Sequence, residues 1–139
     1  MSLLAFVLAA IAQRTVFTDG QWAVFDRGAS CAAVTRATRI ASDHSAQAYA
    51  GFTFDRAGTR YGQFAARLSH PLRAGSTVIL TIGAQPFLLA ANANFAWSRG
   101  PAQEVAIVAA LRNATTMRIE ARSSGGRFID SYGLDGAPG

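Results

Sequence analysis

The sequence contains no lysine, one cysteine and two histidines, and charged residues account for only 15% of it. Without lysine, the chain can form neither a Schiff base through a side-chain amine nor the lysine contact of a phosphate-binding P-loop. The two histidines, His44 and His70, are far apart, with no cysteine or second histidine at metal-ligand spacing, and no glycine-rich nucleotide-binding motif occurs. We therefore predict no metal, no cofactor and no catalytic residue.

The 13 basic residues are all arginine, and they outnumber the 8 acidic residues to give a net charge of +5. A basic balance is typical of proteins that bind nucleic acid, an anionic membrane surface or an acidic partner. The arginines are spread along the whole chain, and no short window is dominated by them. This spacing favours a general preference for arginine over a nucleic-acid patch, and we predict no nucleic-acid partner.

Residues 1–12 form an apolar segment in which only Ser2 is polar. The segment is too short to span a bilayer, which needs about 20 residues, and it ends in the small-residue pattern of a signal-peptide cleavage site. We predict a leader at residues 1–12, cleaved between Ala12 and Gln13, and a single periplasmic or secreted domain at residues 13–139. A buried first helix is the alternative, because no basic residue precedes the segment. No later stretch is long and apolar enough for a membrane span.

Cys31 is the only cysteine in the sequence. Because an oxidising compartment favours paired cysteines, a single one in an exported chain needs an explanation. Cys31 could be a reactive thiol, a partner in an intermolecular disulfide, half of a disulfide whose other cysteine is outside this sequence, or a small side chain buried on a strand. The sequence leaves these alternatives open.

Short segments of alternating apolar and polar residues, separated by turns rich in Gly, Pro and Asp, predict a series of strands. The segment 77–82 is mainly apolar and predicts a strand buried on both faces, whereas residues 36–45 are polar and predict a mobile loop. About eight strands at this spacing predict an all-β fold, an antiparallel β-sandwich or a partly closed barrel. These eight strands lie at residues 21–26, 31–35, 49–54, 61–68, 77–82, 87–91, 117–122 and 128–132, and residues 92–97 are a candidate for a further short strand.

One α-helix is predicted at residues 101–112. Pro101 suits the first helical position, and Glu104 lies in the first turn, where the helix dipole favours a carboxylate. The spacing indicates one apolar face that would pack against the sheets, formed by Val105, Val108, Ala109 and Leu111.

Ser69 and His70 are neighbours that could act as nucleophile and base. Both are expected on a strand, where adjacent side chains point to opposite faces, and no nucleophile-elbow motif occurs in the sequence. The aromatic residues, Trp22 and Trp97 among them, could form a ligand platform. Aromatic residues at strand spacing are more often buried, and we predict that they form the core.

Several short motifs together resemble the invasion-associated locus B family of alphaproteobacteria. They are Trp22-x-Val24-Phe25 followed by Cys31, the segments 67–71 and 78–83, the helix, and the closing segment 130–136. The resemblance implies an exported β-sandwich protein and transfers no catalytic motif. Members commonly carry a second cysteine after the closing segment, so the resemblance also implies that this chain is truncated at its C-terminus.

These features predict a non-enzymatic periplasmic or envelope protein that binds another envelope or host protein, or stabilises the envelope. Strand edges or an exposed aromatic patch would form its contact surface. The alternative is a small exported enzyme or ligand-binding barrel with a pocket near Trp97, Arg99 and Asp130.

Overall fold

The computed structural model describes residues 14–19, 22–26, 28–41, 47–55 and 62–135. Within these ranges the chain forms eleven strands and one helix. In chain order they are β1 Arg14–Asp19, β2 Trp22–Asp26, β3 Ser30–Arg36, β4 Tyr49–Asp55, β5 Gln63–Arg67, β6 Ile79–Ile82, β7 Gln85–Leu88, β8 Ala90–Asn92, β9 Phe95–Trp97, α1 Pro101–Leu111, β10 Thr116–Ser123 and β11 Gly126–Gly133.

The strands form two antiparallel sheets. The seven-stranded sheet has the order β1-β2-β3-β4-β5-β9-β8, and the four-stranded sheet has the order β11-β10-β6-β7. Five of the nine neighbouring strand pairs are consecutive strands joined by only two or three residues, a connection that antiparallel pairing allows. The structure therefore confirms the prediction of an all-β sandwich with one helix.

The core lies between the two sheets and follows from residue alternation along the strands. In β10, Met117, Ile119 and Ala121 are buried, whereas Arg118 and Arg122 are exposed, as the sequence pattern predicts. Aromatic side chains fill the seven-stranded side of the core: the rings of Trp22 and Phe52 stack with centroids 6.2 Å apart, and the rings of Phe52 and Phe64 meet edge to face at 5.1 Å. The indole N–H of Trp22 also donates a hydrogen bond to the carbonyl of Gly133 on the other sheet at 3.1 Å.

The helix α1 bridges the two sheets, because it contacts β5 on one side and β6 and β7 on the other. Its predicted boundaries agree with the structure to within one residue, but its predicted buried face is only partly correct: Leu111 packs against the core, and Val105 does not. Glu104 and Ile107 are fully buried, whereas Val105 is 55% exposed. The Ser98 hydroxyl donates a 2.6 Å hydrogen bond to the Glu104 carboxylate, which satisfies a polar group in the interior. Apolar residues occupy most positions of this helix, so their spacing alone does not define one face.

Four strand predictions need correction. The segment 77–82 is not buried on both faces, since β6 alternates between half-buried and buried residues. The predicted strand at residues 87–91 is interrupted, because β7 ends at Leu88 and β8 begins at Ala90. The predicted strand at residues 92–97 covers the end of β8, a turn that contains Ala93 at a φ of 57°, and β9. Strand β1 was not predicted, although the β-branched Thr15 and Val16 favour strand structure.

The predicted leader, its cleavage site between Ala12 and Gln13, and the last four residues of the chain lie outside the described residues. The leader and the truncation therefore stay predictions. No helix within the described ranges has both the length and the apolar character needed to cross a membrane.

Candidate functional site

The four-stranded sheet ends at β7 on one side, and this edge is covered. Gly83 and Ala84 form a two-residue turn between β6 and β7, a geometry in which Pro86 and Leu88 point their backbone groups away from β6. Pro86 has no backbone N–H, so it cannot donate a hydrogen bond to a neighbouring strand. The Leu88 carbonyl accepts hydrogen bonds from the Arg99 Nε, at 3.1 Å, and from the Gln103 Nε2, at 2.7 Å. These contacts leave little of the β7 edge available for another strand.

The opposite edge, at β11, is open. The Thr38 N–H donates a 2.8 Å hydrogen bond to the Ser131 carbonyl, which shows that the backbone groups of Ser131 point away from β10. Residues two apart on a strand share this orientation, so the N–H and carbonyl groups of Arg127 and Ile129 also point outward. No strand among the described residues pairs with this side of β11, and β11 contains no proline.

A cleft of about 1020 Å³ lies along the open edge. One wall is the edge of β11 with its preceding turn, and the other walls are the segment after β3 and the bend after β5. Two large apolar side chains are exposed beside it, Ile129 at 44% and Ile40 at 63%. The described residues that line the cleft are 37, 39–41 and 48, residues 69–71, and residues 123–130.

The wall formed by residues 37–41 is anchored, although the sequence predicts a mobile loop at residues 36–45. The Ala37 N–H donates to the Ala48 carbonyl at 3.0 Å. The Gln47 side chain accepts from the Ala41 N–H at 2.8 Å and donates to the Arg39 carbonyl at 3.3 Å. These bonds tie residues 37–41 to the two residues before β4, and the predicted loop is wrong at Arg36, which belongs to β3. Residues 42–46 lie outside the described ranges.

A polar corner closes the cleft where the two sheets approach each other. Asp130 is 5% exposed, and its Oδ2 accepts a 2.9 Å hydrogen bond from the Ser69 N–H. The Ser69 Oγ and the His70 Nδ1 lie 2.9 Å apart, and the His70 ring packs on Phe128 at 5.0 Å. The expectation that Ser69 and His70 lie on a strand is wrong, because β5 ends at Arg67 and the chain bends after it.

Tyr132 lies behind this corner, on the same face of β11 as Asp130. Only 1% of Tyr132 is exposed, and its hydroxyl has no hydrogen-bond partner among the described residues. Burial, with a smaller contribution from the negative charge of Asp130, raises the pKa of Tyr132 far above its usual range. The hydroxyl therefore stays neutral in the folded protein.

The outer surface beside the open edge is basic. The Arg127 guanidinium donates a 2.8 Å hydrogen bond to the Glu120 carboxylate, and this contact lowers the pKa of Glu120 and raises that of Arg127. The charges of Arg118 and Arg122 lower the pKa of Glu120 further. One carboxylate thus faces three guanidinium groups, which leaves this surface with a positive charge.

The predicted pocket near Trp97, Arg99 and Asp130 is wrong. Asp130 lines the cleft, but Trp97 lies on the outer face of the seven-stranded sheet, and Arg99 covers the β7 edge of the other sheet. Ile40 and Ile129 were missed, because their exposure depends on which strand ends the sheet. The prediction that a strand edge forms the contact surface is the only expectation from the sequence that bears on these two residues.

Cys31 lies on β3, half-buried, opposite Asp26 on β2 and Phe54 on β4. It does not line the cleft. Within the described residues, no group of three His, Cys, Asp or Glu side chains is arranged to hold a metal ion.

Comparisons with protein-family models, with curated proteins and with solved structures find no match to this chain. The resemblance to the invasion-associated locus B family thus rests on the sequence motifs alone.

Proposed function

We propose that this protein is an exported, non-enzymatic binding protein of the cell envelope that docks an extended, acidic segment of another protein along the β11 edge. The observation that carries the proposal is the difference between the two edges of one sheet: β7 is covered by a proline and two side chains, whereas β11 offers outward-pointing backbone groups above a cleft. An added strand would form main-chain hydrogen bonds with Arg127 and Ile129.

The side chains around the edge indicate the chemistry of the docked segment. Arg127, together with Arg118 and Arg122, favours acidic side chains on the outer face of an added strand. Ile129 shares the outer face of β11 with Arg127, whereas Ile40 lines the cleft and is 63% exposed, which favours apolar side chains on the inner face of an added strand. Alternate residues of a strand point to opposite faces, so a segment in which acidic and apolar residues alternate can meet the arginines on one face and Ile40 on the other.

The test uses a fluorescent synthetic peptide of alternating Glu and Val, with binding measured by anisotropy. Ile129→Pro removes an outward N–H of β11 and is expected to lower the affinity by about tenfold or more. Leu88→Pro is the matched control, because Leu88 is equally exposed at 44% and holds the corresponding outward position on β7. The control should bind like the unmodified protein. No binding of this peptide, or equal losses in both variants, would contradict the proposal.

Export is tested separately by N-terminal sequencing of the protein produced in an alphaproteobacterial host. The apolar segment at residues 1–12 supports export, and the exported product should begin at Gln13. A product that stays in the cytoplasm and retains Met1 would sink this part of the proposal.

A nucleophilic site in the same cleft is the second candidate, favoured by the 2.9 Å approach of the Ser69 Oγ to the His70 Nδ1. His70 could accept the hydroxyl proton as the Ser69 Oγ attacks an acyl carbon, and then return that proton to the leaving group as its bond to the acyl carbon breaks. A fluorophosphonate probe should then label the protein but not Ser69→Ala. The non-enzymatic proposal expects no labelling of either.

A further inference from the structure

The outer face of the seven-stranded sheet carries a row of five polar and aromatic side chains that the β11 edge does not use. They lie directly opposite one another on five adjacent strands. Their chain neighbours Thr35, Ala50, Ala66 and Ala96 are buried in the core, so alternation places the row on the outer face. This aromatic row consists of Arg36, Tyr49, Arg67, Phe95 and Asn92.

The row exposes aromatic surface that a core would bury. Tyr49 is 39% exposed and Phe95 is 46% exposed, and Trp97, two residues along β9, is 37% exposed. The side chains opposite Trp97 are the small Ala65 and Ala90, which leave its ring standing above the sheet. Large exposed aromatic patches mark binding surfaces more often than chance exposure.

The outer face next to the aromatic row lacks bulky side chains for a further structural reason. Gly51 lies opposite Ala65, and a Cβ at Gly51 would be 2.8 Å from the Ala33 carbonyl oxygen. Backbone cannot give way at that distance, so only glycine fits there. The strip beside the aromatic row is therefore shallow and open.

Cationic and aromatic side chains alternate along the row. Neighbouring strands are about 4.8 Å apart, so Tyr49 and Phe95 lie about 10 Å from each other with Arg67 between them. The Arg67 Nε is enclosed and has no hydrogen-bond partner within the described residues, while the side chain as a whole is only half-buried. The remaining guanidinium nitrogens of Arg67, with Arg36 beyond Tyr49, can meet an anionic ligand at the surface.

A ligand that fits this pattern is an extended polymer with apolar ring faces and one negative charge on each unit. One pyranose ring of a polysaccharide advances the chain by a length close to the strand spacing. Successive uronic-acid units would then lie over Tyr49, Arg67 and Phe95 in turn, with C–H faces on the aromatic rings and a carboxylate at the guanidinium. Stacked nucleic-acid bases rise by only about 3.4 Å, which does not match this spacing.

We propose that the aromatic row binds an acidic polysaccharide of the polyuronate type, lying across the strands. This function goes beyond docking at the β11 edge, since it uses the other sheet and different side chains. Asn92 at the end of the row adds an amide that can hydrogen-bond to sugar hydroxyls.

The test measures binding of short oligogalacturonates by isothermal titration calorimetry. Tyr49→Ala and Phe95→Ala are each expected to weaken binding by about tenfold, and Arg36→Gln should weaken it and reduce its dependence on salt. Val105→Ala is the matched control, because Val105 is an exposed apolar residue on α1, away from the row. Ile129→Pro should also bind normally, which separates this test from that of the β11 edge.

Two further probes make the result decisive. Neutral cello-oligosaccharides of equal length should bind much more weakly, and oligothymidine should not bind at this face. The proposal is overturned if oligogalacturonate does not bind, if Tyr49→Ala and Phe95→Ala bind as tightly as Val105→Ala, or if the neutral sugars bind equally well. Binding of oligothymidine in preference to oligogalacturonate would overturn it in favour of a nucleic-acid surface.

Discussion

The two edges of the four-stranded sheet differ in how they treat outward-pointing backbone groups: those of β7 are covered, whereas those of β11 are open. An edge strand presents backbone groups that can pair with another chain, and proteins normally block such edges. The β7 edge is blocked by Pro86 and by the side chains of Arg99 and Gln103, which donate hydrogen bonds to the Leu88 carbonyl. Within the described residues, the β11 edge has one backbone hydrogen bond, from the Thr38 N–H to the Ser131 carbonyl. Because one chain blocks one edge and leaves the other open beside exposed isoleucines, we interpret the open edge as functional.

The hydrogen bond from the Ser69 N–H to Asp130 holds the bend after β5 against the open β11 edge, and we expect its loss to have the largest effect on stability. Asp130→Ala removes a buried, charge-assisted hydrogen bond to the Ser69 N–H and should lower the free energy of unfolding by about 2 kcal/mol. Asp130→Asn keeps an acceptor oxygen and should lower the free energy of unfolding by less than Asp130→Ala does. Urea denaturation measures both, and equal losses in the two variants would show that the hydrogen bond does not hold the wall.

The covered edge should become open when its cover is removed. Arg99→Ala with Gln103→Ala deletes three exposed hydrogen bonds, two to the Leu88 carbonyl and one from the Arg99 N–H to the Gln103 side chain, and should lower the free energy of unfolding by about 1 kcal/mol in thermal or urea unfolding. Adding Pro86→Val restores an outward N–H, and the triple variant should bind the Glu-Val peptide at two sites or self-associate in sedimentation velocity. Arg112→Ala removes an arginine at the helix end and is the control. A triple variant that stays monomeric with one site would contradict the interpretation of β7.

The unpartnered hydroxyl behind the open edge should contribute nothing to stability at neutral pH. Tyr132→Phe is expected to leave the free energy of unfolding unchanged or to raise it slightly, whereas Trp22→Phe should lose the bond to the Gly133 carbonyl. The folded pKa of Tyr132 lies above its unfolded value of 10.0, so the unmodified protein should lose stability relative to Tyr132→Phe as the pH rises past that value. If the free energies of unfolding of the two proteins change with pH in the same way above that value, this account is contradicted.

The ion pair beside the open edge should have the smallest effect. The folded pKa of Glu120 lies below its unfolded value of 4.5, so any stability from this pair is present above that pH and is lost as the pH falls through the folded pKa. Arg127→Ala should raise the pKa of Glu120 in an NMR titration, and Arg112→Ala should not change it. An unchanged pKa in Arg127→Ala would show that the pair is not formed in solution.

The sequence predicts the sandwich because its signal is local. Met117, Ile119 and Ala121 alternate with charged residues, and such alternation identifies both the strand and its buried face. The same signal fails for α1, where apolar residues surround the helix, and for β8 and β9, where three-residue strands and a turn at Ala93 carry no strong pattern.

The sequence predicts strand edges or an exposed aromatic patch as the kind of contact surface, but it does not predict which residues form them, because that depends on strand order. Phe64 and Phe95 occupy neighbouring strands and read alike in the sequence, yet Phe64 is buried and Phe95 is 46% exposed. Whether Ile129 faces an open edge depends on β11 ending the sheet, which is a property of distant pairing. Arg99 was predicted to line a pocket and instead covers an edge for the same reason.

The most direct test of the open β11 edge is amide hydrogen exchange by NMR, with and without the Glu-Val peptide. The N–H groups of Arg127 and Ile129 should exchange rapidly in the free protein and slow strongly when the peptide is bound, while that of Leu88 stays unchanged. Slow exchange of Arg127 and Ile129 in the free protein, or no change on adding saturating peptide, would contradict the account.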